Sequence, residues 1–128
     1  MKTAITPDYA LGSHVAPLGL SFANGAGFPG FAQGAFVGEH GSWNRQRLAG
    51  YKVSFIPFTN GRPAGKPKDF VTGFVEDGKA RGRPVGVTYD AARGALWIAD
   101  DLSNTLWRVT GPRTMAMGSP VGSAAGRK

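Results

Sequence analysis

The residues that can do chemistry fall into four short groups. Ser13 and His14 stand before an apolar run, and Glu39-His40-Gly41-Ser42-Trp43-Asn44-Arg45 forms one continuous polar stretch. Arg81-Gly82-Arg83 precedes a second apolar run, and Asp100-Asp101, with Ser103 and Asn104, closes a third. Imidazole, guanidinium, carboxylate and indole groups gathered in one place are the parts of a site for a polar, anionic or sugar-like ligand. Each group also has a plainer reading. His40 either serves a ligand or hydrogen-bonds a loop backbone. Trp43 either walls a ligand or packs over its own loop. Arg83, just before Pro84, either meets a ligand or pairs with a carboxylate such as Asp100. Asp100 and Asp101 either hold a metal such as calcium or form a turn. His14 and His40 lack the His-x-x-x-His spacing and no third ligand pattern accompanies them, so no zinc site is expected. Glu39 and Asp100 are a conceivable hydrolytic pair, whose separation spacing alone leaves open. The nearby glycines form no phosphate loop, because no Gly-x-x-x-x-Gly-Lys-Ser/Thr run occurs.

The elements that must position these groups are read from composition and pattern. With 128 residues the chain is one domain or part of one. Gly 20 and Pro 9 exceed a fifth of all residues, which excludes a helical bundle and favours short strands joined by turns. No apolar run approaches the roughly 18–20 residues of a membrane-crossing helix, so no membrane partner is expected. The absence of Cys excludes disulfides, thiolate zinc sites and a Cys nucleophile. The net charge of +7 raises the question of nucleic acid. The basic residues are densest at 45–47, 66–68 and 79–83, all in Gly/Pro-rich loops, and read as solvated loop charge with no nucleic-acid partner. Residues 1–10 lack the pattern of a signal peptide, since Pro7 and Asp8 interrupt any apolar core. Residues 111–128 are small and polar and read as a flexible tail behind a folded unit of residues 1–110.

Seven runs have strand character: 18–23, 35–39, 51–58, 70–74, 85–89, 95–99 and 105–110. Asn24-Gly25, Pro29-Gly30, Asn60-Gly61, Asp77-Gly78 and Arg93-Gly94 punctuate them as turns. The runs repeat. Pro17-Leu18-Gly19-Leu20-Ser21-Phe22 matches Pro84-Val85-Gly86-Val87-Thr88-Tyr89. Gly34-Ala35-Phe36-Val37 matches Gly94-Ala95-Leu96-Trp97, and Tyr51-Lys52-Val53 matches Trp107-Arg108-Val109. Two copies of one antiparallel meander, the first of four strands and the second of three, are the blade pattern of a β-propeller. The expected fold is therefore all-β, about two four-stranded antiparallel blades. In such a blade the loop entering the innermost strand and the loop joining the second and third strands open on one face, so all four chemical groups fall on one rim. An isolated pair of blades leaves an apolar face and a strand edge uncovered, so the chain alone is expected to associate.

Two stretches carry a resemblance. His14 to Phe22, with Gly34 to Arg45 and its Glu-His-Gly-Ser-Trp-Asn-Arg segment, resembles the glucose/sorbosone dehydrogenase family. Gly50-Tyr51-Lys52-Val53, Asp69 to Phe74, Gly82 to Val87, Ala99-Asp100-Asp101 and Trp107 to Thr110 continue the likeness, which is strongest to L-sorbosone dehydrogenase-like proteins. The resemblance implies a six-bladed propeller of which this chain is the C-terminal part only. It implies a periplasmic enzyme that holds pyrroloquinoline quinone (PQQ) with calcium and oxidises a sugar or sugar-derived aldehyde. It implies cofactor-binding roles for Arg83, His40, His14 and Gly41, and substrate-wall roles for Trp43 and Asn44. Arg83 matches the first Arg of the family's pair, whereas Val85 stands in place of the second, and no Lys stands near Gly41. The family's general-base His and calcium loop have no counterpart in this chain, so no catalytic residue and no metal ligand is expected in it. The other propeller blades are expected partners. A non-catalytic propeller piece acting as an interaction module is the alternative.

Overall fold

The structure, a computed structural model, describes residues 3–112; residues 113–128 of the expected tail lie outside the described residues. The order of elements is β1 (Pro17–Phe22), β2 (Gly34–Glu39), β3 (Lys52–Thr59), β4 (Arg62–Pro63), β5 (Lys68–Val71), β6 (Val75–Glu76), β7 (Lys79–Ala80), β8 (Pro84–Asp90), β9 (Ala95–Asp100) and β10 (Thr105–Thr110). Every described regular element is a strand. The first sheet runs β1-β2-β3, with β5 on the far side of β3 and the two-residue β4 folded back on the end of β3. The second sheet runs β8-β9-β10, and β6 and β7 form a small separate hairpin. All pairings are antiparallel.

Local turn chemistry explains most of the boundaries. Asn60-Gly61 and Asp77-Gly78 both have positive φ at the two central positions, the geometry that matches the twist of a tight hairpin. Six of the expected strands stand within a residue or so of their expected bounds. The fourth does not. A strand over 70–74 was expected, and the observed strand is Lys68–Val71. Gly73, at φ 101, turns the chain out of the sheet, and Phe74 is buried apart from the strand.

The core lies between the two sheets. Phe36, Val53 and Phe55 of the first sheet meet Val87, Leu96 and Ile98 of the second, with Ala23, Ala26 and Phe28 from the β1–β2 connection. Phe28 packs edge against face with Phe36, Phe70 and Tyr89 of β8, and Phe36 and Phe70 meet at a tilt. The innermost strands β1 and β8 lie against each other. A Cβ on Gly19 would sit 2.3 Å from the Val85 carbonyl oxygen, and one on Gly38 would sit 2.4 Å from the same oxygen. Those two glycines are what let the sheets approach at this point.

The repeat is real, but its register differs from the sequence match. Pro17 pairs with Glu39 and Leu20 with Val37, while Pro84 pairs with Asp100 and Val87 with Ile98. The second strands therefore align Val37 with Ile98 and Glu39 with Asp100, one residue away from the expected alignment. The third strands align Ser54 with Trp107, through Val37↔Ser54 and Ile98↔Trp107. That is three residues away from the match of Tyr51 with Trp107. Both slips are odd, and in a strand an odd slip exchanges the two faces. The identical-looking Gly-Ala pairs at the starts of β2 and β9 misled the alignment.

Candidate functional site

The β2–β3 connection is a loop folded on itself. Ser42 N–H donates to Ala49 O at 2.9 Å, and Ala49 N–H donates to Ser42 Oγ at 3.1 Å, closing a lobe of residues 43–48. The buried Tyr51 hydroxyl donates to Ser42 O from below. The base of the loop is tied to the chain entering β1, because His40 N–H donates to Ala16 O and Gly41 N–H donates to Val15 O. Gly41 has φ 95, and a Cβ there would strike the Tyr51 ring. Only glycine fits between that ring and the backbone of residues 15–16.

Arg83 reaches across from the second sheet and fastens this loop. Its Nε donates to His40 O at 3.0 Å, and one terminal nitrogen donates to Gly41 O at 2.7 Å and Ser42 O at 3.3 Å. The guanidinium also lies over the Tyr51 ring, 5.1 Å from its centroid. The expected pairing of Arg83 with Asp100 exists, but through the Arg83 backbone N–H, which donates to Asp100 Oδ1 at 2.9 Å. The guanidinium is left for the loop carbonyls.

Asp100 is buried and fully engaged. Oδ1 also accepts from Leu102 N–H and Ser103 N–H, and Oδ2 accepts from the Trp107 indole at 3.1 Å. Burial works against its charge, but the N–H donors of Arg83 and Ser103 and the Trp107 indole outweigh it and hold the carboxyl down at about 2. All these partners are N–H donors, two of them on the turn that follows, so of its two readings Asp100 is the turn former. Its neighbour Asp101 points the other way. Both Asp101 oxygens lie at hydrogen-bond distance from His40 Nε2, 3.0 and 3.1 Å. His40 is half-buried and Asp101 exposed. A carboxylate only accepts, so His40 Nε2 is the donor in this pair and Nδ1 is the ring nitrogen left without it.

His40 and Gly41 from the first sheet and Arg83 from the second are thus brought together at the junction between the sheets. His14, at φ 63, is exposed two residues before Ala16, beside the same junction. Trp43 and Asn44 are not drawn in. They sit on the exposed lobe, where Trp43 is 85% exposed. Reasoning from sequence missed Tyr51 as a member of the site, and it placed Asp101 on the rim without its partner His40. Tyr51 gave no signal beyond an apolar strand position, whereas the Asp-Asp pair did mark the place.

Comparisons with known proteins bear on what this junction belongs to. The TrAA12-like family model matches residues 1–112. An uncharacterised protein of Borreliella burgdorferi is 40% identical over 106 residues, covering 79% of this chain and 27% of that protein. A pyrroloquinoline quinone-dependent pyranose dehydrogenase of Coprinopsis cinerea is 30% identical over 130 residues, covering 85% of this chain and 17% of the dehydrogenase. The solved holo form of that enzyme's PQQ domain superposes with a TM-score of 0.59 over 74% of this chain and 26% of the domain. A Trichoderma reesei protein of Carbohydrate-Active Enzymes Family AA12 superposes equally well at 26% identity, over 75% of this chain and 25% of its own. This chain therefore spans about a quarter or less of the relatives it matches.

Proposed function

The chain belongs to the TrAA12-like family, and from that premise we propose that it is the C-terminal portion of a PQQ-dependent sugar or aldehyde dehydrogenase of six blades. In this reading it supplies part of the wall around cofactor and substrate and none of the catalytic base or calcium ligands. The substrate class is a glucose-like sugar or a sugar-derived aldehyde such as L-sorbosone. The observation that carries the reading is the convergence of His40 and Arg83, from two sheets, on one rim.

The residues at that rim suit PQQ in part. PQQ is an anionic o-quinone, and when bound it supplies the acceptor for a hydride. His40, with Nε2 engaged by Asp101, offers Nδ1 to a hydroxyl of cofactor or sugar. Arg83 places a permanent positive charge beside it, and its second terminal nitrogen is the part left to reach a carboxylate or quinone oxygen. It does not offer the full two-pronged clamp, because the other edge holds the loop. Gly41 has its N–H and C=O both engaged, so its share in the wall is the space a side chain would fill. His14 stands at the edge of the rim, and Trp43 with Asn44 on the exposed lobe gives a ring face and an amide for a sugar.

Titration of the purified chain with PQQ, followed by the cofactor's absorbance, tests this, with Ca²⁺ in a separate arm. Saturable binding is expected, with no dye reduction by the chain alone. Arg83→Ala is expected to weaken binding about ten- to a hundredfold, or ~1.5–3 kcal/mol. No saturable binding overturns the reading, and dye reduction overturns the assignment of the base to another part of the enzyme.

A further inference from the structure

Asp100 and Asp101 stand side by side where β9 turns into β10, and they divide the work of that turn. Asp100 pins it, because its Oδ1 accepts Leu102 N–H, Ser103 N–H and the Arg83 N–H at the entry to β8. Asp101 is held in place by its neighbour's bonds. Among the described residues both of its oxygens share one partner, His40 Nε2, which belongs to the other sheet. The two residues occupy equivalent places. Glu39 pairs with Pro17 as Asp100 pairs with Pro84, and His40 and Asp101 each come next. An imidazole at the end of one second strand therefore meets a carboxylate at the end of the other. His40 is fixed at its backbone as well. Its N–H donates to Ala16 O, and its carbonyl oxygen accepts from Arg83 Nε at 3.0 Å. Since the Arg83 N–H is in turn held by Asp100, both the backbone and the ring of His40 are referred to one turn of the second sheet.

We propose that Asp101 is a positioning residue: by holding the Nε2 proton of His40 it makes Nδ1 an acceptor, and the site then favours the reduced, hydroxyl-bearing form of PQQ over the quinone. The identity of the ligand rests on the function proposed above; the positioning rests on the His40–Asp101 pair itself. In a neutral imidazole one nitrogen donates and the other accepts, and the bond made by the first sets the role of the second. The carboxylate takes the donor. What remains is a nitrogen that rewards an O–H group and gives a carbonyl oxygen nothing. The quinone oxygens of PQQ only accept, whereas the reduced form carries hydroxyls that donate. Arg83 does not discriminate in this way, because a guanidinium donates in every state and the carboxylates of PQQ are the same in both forms. A site that binds the reduced form more tightly makes the bound quinone easier to reduce.

Two measurements test this on the full chain and on Asp101→Ala. Asp101 is exposed and the Asp100 bonds stay in place without it, so the variant is expected to keep the wild-type circular dichroism. The first measurement is the nitrogen-15 spectrum of the imidazoles at about pH 8, where an ordinary imidazole is neutral. The chain has two histidines, and the exposed His14 serves as the internal reference for a ring that exchanges between tautomers. His40 is expected to show a single tautomer with the proton on Nε2, and to move to a mixture in Asp101→Ala. A proton on Nδ1 in the wild type, or a tautomer that the substitution leaves unchanged, overturns the positioning role. The second measurement is the affinity for PQQ and for chemically reduced PQQ, titrated without oxygen and followed by absorbance. The ratio in favour of the reduced form is expected to fall about three- to tenfold in Asp101→Ala, the effect of one hydrogen bond, with little change for the quinone. Binding of both forms with an unmoved ratio overturns the preference and leaves the proposed function standing. Binding of neither form overturns the proposed function and the preference together, and the tautomer of His40 still decides the positioning.

Discussion

Glu39 and Asp100 occupy the same position in the two sheets, yet they do different work. Each ends a second strand, and each accepts from the third strand, Glu39 from Ser54 Oγ at 2.7 Å and Asp100 from the Trp107 indole. There the likeness stops. Asp100 turns its other oxygen to three backbone N–H groups, including that of Arg83 at the entry to β8. Glu39 is as buried, at 2% exposed, and its Oε2 has no partner among the described residues. The joint that Asp100 makes in the second sheet is made in the first by backbone alone, through His40 N–H to Ala16 O. A strand end can be closed by backbone or by side chain. Where the side chain closes it, the side chain also governs what the neighbouring loop does.

If this contrast is right, Asp100→Ala costs the most. It strands four N–H donors and frees Arg83, and a loss of about 3–4 kcal/mol is expected in urea unfolding at fixed chain concentration. A loss below 1 kcal/mol would mean that the turn closes without it. Next comes Arg83→Lys, expected to cost about 2 kcal/mol, because an ammonium cannot span three carbonyls and stack on Tyr51. Hydrogen exchange should show the His40 and Gly41 amides opening faster in that variant, and unchanged protection would sink the idea. Acid gives an effect of similar size. The Asp100 carboxyl is held low in the folded chain, so its contribution is full above about pH 4 and is lost as pH falls towards about 2, in total about 2 kcal/mol. Asp90 is also held below the usual carboxylate range, by its hydrogen bond from the Arg93 side chain. The Asp100→Asn chain is therefore the control, and it should lose most of the acid dependence. The smallest effect is expected of Glu39→Gln. The amide keeps the acceptor for Ser54, and a change of less than about 1 kcal/mol in either direction is expected. Equal losses for Glu39→Gln and Asp100→Asn would erase the distinction between the two sheets.

The sequence by itself determined six of the longer strands, the hairpin turns and the existence of the repeat, because these rest on local preferences. Asn60-Gly61 and Asp77-Gly78 demand positive φ wherever they stand, and alternating apolar residues demand a covered face. It also placed His40, Arg83 and the Asp pair on one rim, since loop order in a meander is a matter of connectivity. Only the tertiary structure decided the register. The irregularities between Pro17 and Gly19 and between Pro84 and Val87, and the uneven loop lengths, shift one strand against another without leaving a mark in the local pattern. That shift puts Glu39, rather than His40, opposite Asp100 in the repeat. Only the tertiary structure decided, too, that the Arg83 guanidinium holds three carbonyls more than forty residues away while its backbone holds Asp100. A charged side chain chooses partners by distance and desolvation in the folded state, and neither quantity is written in the residues beside it.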